Sequence, residues 1–173
     1  MLEIIKISTP PFKEISQLLH DSFAERLKDG MNFGCATFTE DDVKRELSNA
    51  TAVIGAYDNN ELIGVVVLNY IIERFGLKYA NHQFLAVASH AKGRGVASKM
   101  FAEVSNIARE NQLDFIKSYT AEGAKSSISY HLKNGFKIIG KYHQEGRTYD
   151  SYVFLCPISW KGRILSSYPM RKI

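Results

Sequence analysis

Apolar residues recur along this chain with two different spacings, and the switches between them mark out its elements. Leu2 to Ile7 alternates apolar and polar residues, the period of a half-buried strand. Pro10 and Pro11 then open an amphipathic helix with Ile15, Leu18, Leu19, Phe23 and Leu27 on its inner side. Asp29 to Phe38, with Gly30, Asn32 and Gly34, reads as a loop exposing apolar residues. Thr39 starts a second helix, its hydroxyl and the Asp42 carboxylate forming a capping box. Ala50–Asp58 and Glu61–Ile72 are two strands turned around Asp58-Asn59-Asn60. A loop over Glu73–Lys78 leads to a strand at Asn81–Val87.

A third helix over Gly95–Asn111 keeps Val96, Met100, Phe101, Val104 and Ile107 on one face. Leu113–Tyr119 is another strand, and Lys125–Lys133 a short helix that Asn134-Gly135 ends as a left-handed cap. Phe136–His143 and Tyr149–Cys156 close with a hairpin, and Pro157–Ile173 is expected to be an irregular tail. The order β-α-α-β-β-β-α-β-α-β-β predicts an α/β fold with a mixed, mostly antiparallel sheet of about seven strands flanked by about four helices. No repeat or linker divides it, so one domain over 1–156 followed by the tail 157–173 is expected.

Bulk composition narrows the classes further. At 173 residues with 45% hydrophobic and 23% charged residues, the chain is an ordinary globular one. Its net charge of +4 comes without a dense basic run, which argues against nucleic acid as the main partner and fits a ligand carrying several phosphates. The cysteines, Cys35 and Cys156, are far apart and suggest neither a disulfide framework nor a metal site. The longest apolar run, Leu62–Ile72, is too short for a bilayer. MLEIIKISTPP lacks the basic-then-apolar pattern of a signal peptide, so a reduced, cytoplasmic protein is expected.

Candidate chemistry concentrates in Leu85 to Met100, a strand, a loop with Gly93 and Gly95, and a helix. Glycines let the main chain approach a ligand closely, and the first amides of a helix have no internal partner. The macrodipole adds about half a positive charge there, while Lys92 and Arg94 add whole ones, so a pyrophosphate suits the loop. A dinucleotide fingerprint fails because Ser98 stands at the third glycine position, and no Walker motif is present. Taken alone, a glycine pair also serves as a tight turn.

Lys92-Gly93-Arg94-Gly95-Val96-Ala97 resembles the (Q/R)-x-x-G-x-(G/A) signature of GNAT-type N-acetyltransferases, with Lys in the first place. Downstream, Ser127-Ile128-Ser129-Tyr130-His131-Leu132-Lys133-Asn134-Gly135-Phe136 is similar to that family's second conserved segment, in the S-x-x-x-H-x-x-x-G-F version of phosphinothricin acetyltransferase-like members. The resemblance extends over nearly the whole chain up to Cys156 and implies the single-domain acyl-CoA N-acyltransferase fold.

It further implies acetyl-CoA as co-substrate, no metal, and direct attack by a primary amine in a ternary complex. The pyrophosphate would lie on Lys92 to Ala97 and the pantetheine arm along Phe84 to Val87, between splayed strands Asn81–Val87 and Leu113–Tyr119. An amide near Leu85, Ala86 or Val87 would polarise the thioester carbonyl. His131 stands where the family often has the tyrosine that protonates the thiolate. Ala124 replaces a frequent cofactor-contacting Asn, so that either Ser126 or Ser127 takes its place or the contact is missing.

The family's strand carboxylate falls on Asn81, which cannot take up a proton, so Glu73 and His82 are the candidate bases, with a water chain as the alternative carrier. Met31, Asn32, Phe33, Asn81 and Gln83, with the hairpin from Tyr142 to Tyr149, would meet the acceptor. Without an acidic cluster there, a polycation is disfavoured, and an amino sugar, amino acid or similar small amine fits better. The expected protein acts as a monomer or homodimer, away from membranes. Open alternatives are a protein N-terminal or lysine acetyltransferase, an acetyl-CoA-binding module without chemistry, and a nucleic-acid binder using the tail with Trp160, Lys161, Arg163, Tyr168, Arg171 and Lys172.

Overall fold

The expected order of elements recurs in a computed structural model that describes residues 1–167 and 171–172. These are β1 Leu2–Lys6, α1 Phe12–Lys28, α2 Glu40–Leu47, β2 Ala52–Asp58, β3 Glu61–Arg74, β4 Leu77–Val87, α3 Val96–Glu110, β5 Phe115–Ala121, α4 Lys125–Lys133, β6 Lys137–His143 and β7 Asp150–Pro157. Two further elements follow, α5 Trp160–Leu165 and the two-residue β8 Arg171–Lys172. The result is α/β with a mixed sheet, as expected. Contacts group the chain into two units, Met1–Tyr70 with Gln83–Val104, and Ile71–His82 with Ser105–Ile173.

In the first unit β1 pairs antiparallel with β2, and β2 antiparallel with β3. Asn59 (φ 49°) and Asn60 (φ 68°) both take left-handed conformations, which makes the β2–β3 connection the tight turn that matches strand twist. Helices α1 and α2 cover one face. Their Ile15, Leu19, Phe23, Val43 and Leu47 form one core with Val53, Val65, Val67 and Ala86 of the strands. Alternation turns Gly64 to the other face, where Val96 and Met100 of α3 lie against it. The capping box at α2 forms, with Thr39 Oγ1 accepting from the Asp42 amide and the Asp42 carboxylate accepting from the Thr39 amide.

In the second unit the first half of β4 runs parallel to β5 over Tyr79–Phe115, Ala80–Ile116 and Asn81–Lys117, and the pairing ends there. Strand β7 pairs antiparallel with both β5 and β6, and β8 runs parallel to β6. The loop expected over Glu73–Lys78 is instead a two-residue turn, Phe75 (φ 53°) and Gly76 (φ 71°), so β3 and β4 are longer than their sequence suggests.

The expected irregular tail is also corrected. Ser159 caps α5 through its hydroxyl, and Asp114 docks the segment. The Asp114 carboxylate accepts from the Ser159 hydroxyl (2.5 Å) and the Lys78 amide (2.9 Å), and its carbonyl accepts from the Ile158 and Ser159 amides. Tyr168 lies outside the described residues.

Candidate active site

The glycine loop leaves β4 at Val87, makes a 3-10 turn over Ser89–Ala91, and enters α3 at Val96. Gly93 (φ 80°) and Gly95 (φ 76°) are left-handed, a conformation that costs a residue with a Cβ about 1–2 kcal/mol. The turn closes on itself through the Ala91 and Lys92 amides. Among the described residues, the amides of Gly93, Gly95, Val96 and Ala97 have no main-chain acceptor. Nothing lies within 4 Å of where a Cβ would stand on either glycine, so a phosphate has room to approach. Lys92 is exposed beside them. Arg94 is committed elsewhere: its guanidinium meets Asp58 Oδ2 at 2.6 Å.

Leu85 and Val87 are half-buried on β4, with Ala86 in the core. The Val87 carbonyl accepts from Ser22 of α1 (3.3 Å). Phe84 (φ 52°) is left-handed inside the strand, a local break in regular pleating held by ring contact with Phe38. Of the residues expected to meet an acceptor, Met31 and Phe33 are half-buried and Asn32 exposed. Phe33 packs on Phe23, and the Arg26 guanidinium lies over both rings at 5.0 and 5.4 Å. Gln83 accepts from the Asn69 amide group (2.7 Å).

The second unit gathers a different set. His131 on α4 is 2% exposed, packed on Phe154 and Phe136. Its Nδ1–H donates to the Ser127 carbonyl (2.7 Å), which leaves Nε2 to accept from the Ser118 hydroxyl (2.8 Å). Burial pushes the imidazole down to about 4. His82, also buried, is pushed down to about 3, chiefly by burial and then by the neighbouring His131. Its Nε2 pairs with the Tyr130 hydroxyl at 3.1 Å, and burial drives that phenol upward. Neutral imidazoles paired this way accept protons weakly and donate none to spare.

Thr120 Oγ1 and Ser127 Oγ stand 3.3 Å apart beside this network, and Ala124 is buried at the start of α4. Glu73 sits apart on the β3–β4 hairpin, its side chain 73% exposed and 3.7 Å from Lys78 Nζ. Asn81 Oδ1 is buried without a hydrogen-bond partner, the one such side-chain atom among the described residues. Three participants escape sequence reading: Asp58, Ser118 and Tyr130. Strand alternation would have turned Ser118 and Thr120 to one face of β5, but nothing local says that α4 lies over it.

Among the described residues no group of His, Cys, Asp or Glu side chains is arranged to hold a metal ion, and no helix is long and apolar enough to cross a membrane.

The ribosomal-protein-S18-alanine N-acetyltransferase from Escherichia coli superimposes with a TM-score of 0.72 at 10% identity, over 92% of this chain and 95% of the other. A protein assigned as a phosphinothricin N-acetyltransferase gives 0.74 at 17% identity, over 92% and 99%. The PaiA N-acetyltransferase from Thermoplasma acidophilum, in complex with coenzyme A, gives 0.70 at 16% identity, over 91% and 99%. No curated protein sequence matches. At such identities the structural likeness speaks for the fold. The acetyltransferase (GNAT) family model matches residues 12–136, well over half of the sequence, and the chain belongs to that family.

Proposed function

We propose that the protein transfers the acetyl group of acetyl-CoA to the primary amine of a small molecule, such as an amino sugar or amino acid, by direct attack in a ternary complex. One observation carries the reading: four consecutive-to-near amides, those of Gly93, Gly95, Val96 and Ala97, reach the N-terminal end of α3 without acceptors. A diphosphate satisfies such a set, and Lys92 adds a cation.

Acetyl-CoA bound there supplies a thioester, an acyl group already activated toward amines. The chain's part is to place it. The main chain over Phe84 to Val87 is assigned to the pantetheine arm, with an amide near Leu85 to Val87 aimed at the thioester carbonyl. Ser127 is a further proposed contact.

The Cys156 thiol is not set up as a nucleophile. Burial pushes the Cys156 thiol up to about 11, and Cys35 is half-buried in the first unit. This supports direct attack. For the proton steps, Glu73 is the candidate to take the ammonium proton, because burial keeps His82 and His131 from ionising near neutral pH. His131 is then assigned to holding α4 through Ser118 and Ser127. The Phe33 ring, packed on Phe23 of α1, gives the proposed acceptor loop an aromatic rather than an acidic surface, which supports a small amine over a polycation.

Calorimetry with CoA, followed by thiol release across a panel of amino sugars, amino acids and peptides, tests the reading. Binding with turnover of a small amine is expected. Turnover confined to peptide amines moves the reading to a protein acetyltransferase, and absence of CoA binding ends it.

A further inference from the structure

We infer that Asp58, at the tip of the β2–β3 hairpin, is a positioning residue for the cofactor loop, an inference that rests on the acetyl-CoA reading above. Arg94 lies between the two left-handed glycines, so its own peptide units lead directly into the presented amides. On the helix side the Gly95 carbonyl accepts from the Lys99 amide (3.0 Å), while the stretch just before it is held more loosely. The Arg94 amide reaches the Ala91 carbonyl only at 3.4 Å, and neither glycine contributes a side chain.

The Arg94 side chain supplies the missing tether. Its guanidinium is 2.6 Å from Asp58 Oδ2, with the Asp58 side chain 21% exposed and that of Arg94 44%. Asp58 is a firm anchor. It ends β2 in register with Leu2 of β1 and Glu61 of β3, and the left-handed Asn59-Asn60 turn follows at once. The same hairpin sends a second, looser contact to the loop, Glu61 Oε1 to His90 Nε2 at 3.7 Å. Asp58 Oδ1 also faces the Met1 amino group at 3.3 Å.

Two glycines in a ligand-binding turn carry an entropic cost, because glycine loses more freedom on ordering than any other residue. Tying down the residue between them before the ligand arrives lowers the ordering cost of binding. A different role for Arg94, direct pairing with the ligand's phosphates, makes the opposite prediction for Asp58. Removing a carboxylate that competes for Arg94 would then strengthen binding.

Calorimetric titration of the full chain with CoA and with dephospho-CoA separates the two. The variants are Asp58→Asn, Arg94→Gln and the double substitution, with Asp58→Glu as the conservative control. An exposed ion pair supports a change of about two- to fivefold. Asp58→Asn and Arg94→Gln should each weaken CoA by that factor, and the double variant should lose no more than either alone. Dephospho-CoA should show the same loss, which places the effect at the pyrophosphate, and Asp58→Glu should recover part of it. Tighter or unchanged CoA binding by Asp58→Asn, or losses that add in the double variant, would overturn the inference. Failure of the unsubstituted protein to bind CoA would instead overturn the acetyl-CoA reading itself.

Discussion

Gly95 shows how much of the proposed cofactor site is vested in backbone conformation. A Cβ there has open space around it, so Gly95→Ala is penalised by left-handed geometry alone. That cost, about 1–2 kcal/mol, is relieved if the loop shifts and moves the amides with it. CoA affinity is therefore expected to fall about five- to thirtyfold in calorimetry while the melting temperature barely moves. An unchanged affinity would remove the amides from the binding site. His131 carries the opposite lesson. Its spacing ahead of Gly135-Phe136 suggests chemistry, yet it sits in the core with both ring nitrogens engaged. The activity profile is accordingly expected to follow the ionisation of the amine acceptor, with no inflection near pH 6.5 that His131→Gln abolishes. Such an inflection would return His131 to a role in proton transfer.

Among the elements, α5 is one that local sequence conceals. At Trp160–Leu165 it is too short to be stable by propensity, and it persists because Asp114 holds the chain leading into it. Gly162 packs so closely that a Cβ would collide with the Asp114 carbonyl oxygen, a backbone atom with no freedom to rotate away. Gly162→Ala should undock the helix, lower the melting temperature and open the chain after Pro157 to limited proteolysis. Intact resistance to protease would show that the contact is dispensable. The β3–β4 turn was hidden for a related reason. Phe75 adopts a left-handed conformation that its residue type disfavours, so strand pairing on either side imposes a turn that composition does not announce. The Asn59-Asn60 turn was legible because asparagine tolerates that conformation readily.

For the molecule as a whole, two neutral histidines in the second unit couple stability to acidity. Their folded values, about 3 for His82 and about 4 for His131, lie below the unfolded value of about 6.5. The unfolded chain therefore binds protons that the folded chain excludes. Stability from this source is complete above pH ~6.5 and is lost as pH falls from there toward pH ~3. Thermal unfolding followed between pH 7 and 4 should show a declining melting temperature, with a shallower slope in His131→Gln. An equal slope in that variant would assign the acid sensitivity to other groups.

Local periodicity and backbone preference settled helices α1 to α4, the hairpin at Asn59-Asn60, the capping box at Thr39 and the glycine loop, because each depends on residues within a few positions of one another. The two motifs at their separation also carried the family. Long-range packing alone decided that Arg94 answers to Asp58, that Ser118 meets His131, and that Asp114 gathers the segment after Pro157. A side chain's type states what it can bond to. Which partner it finds depends on strands and helices meeting from distant parts of the chain, and one residue's neighbours in sequence hold no record of that.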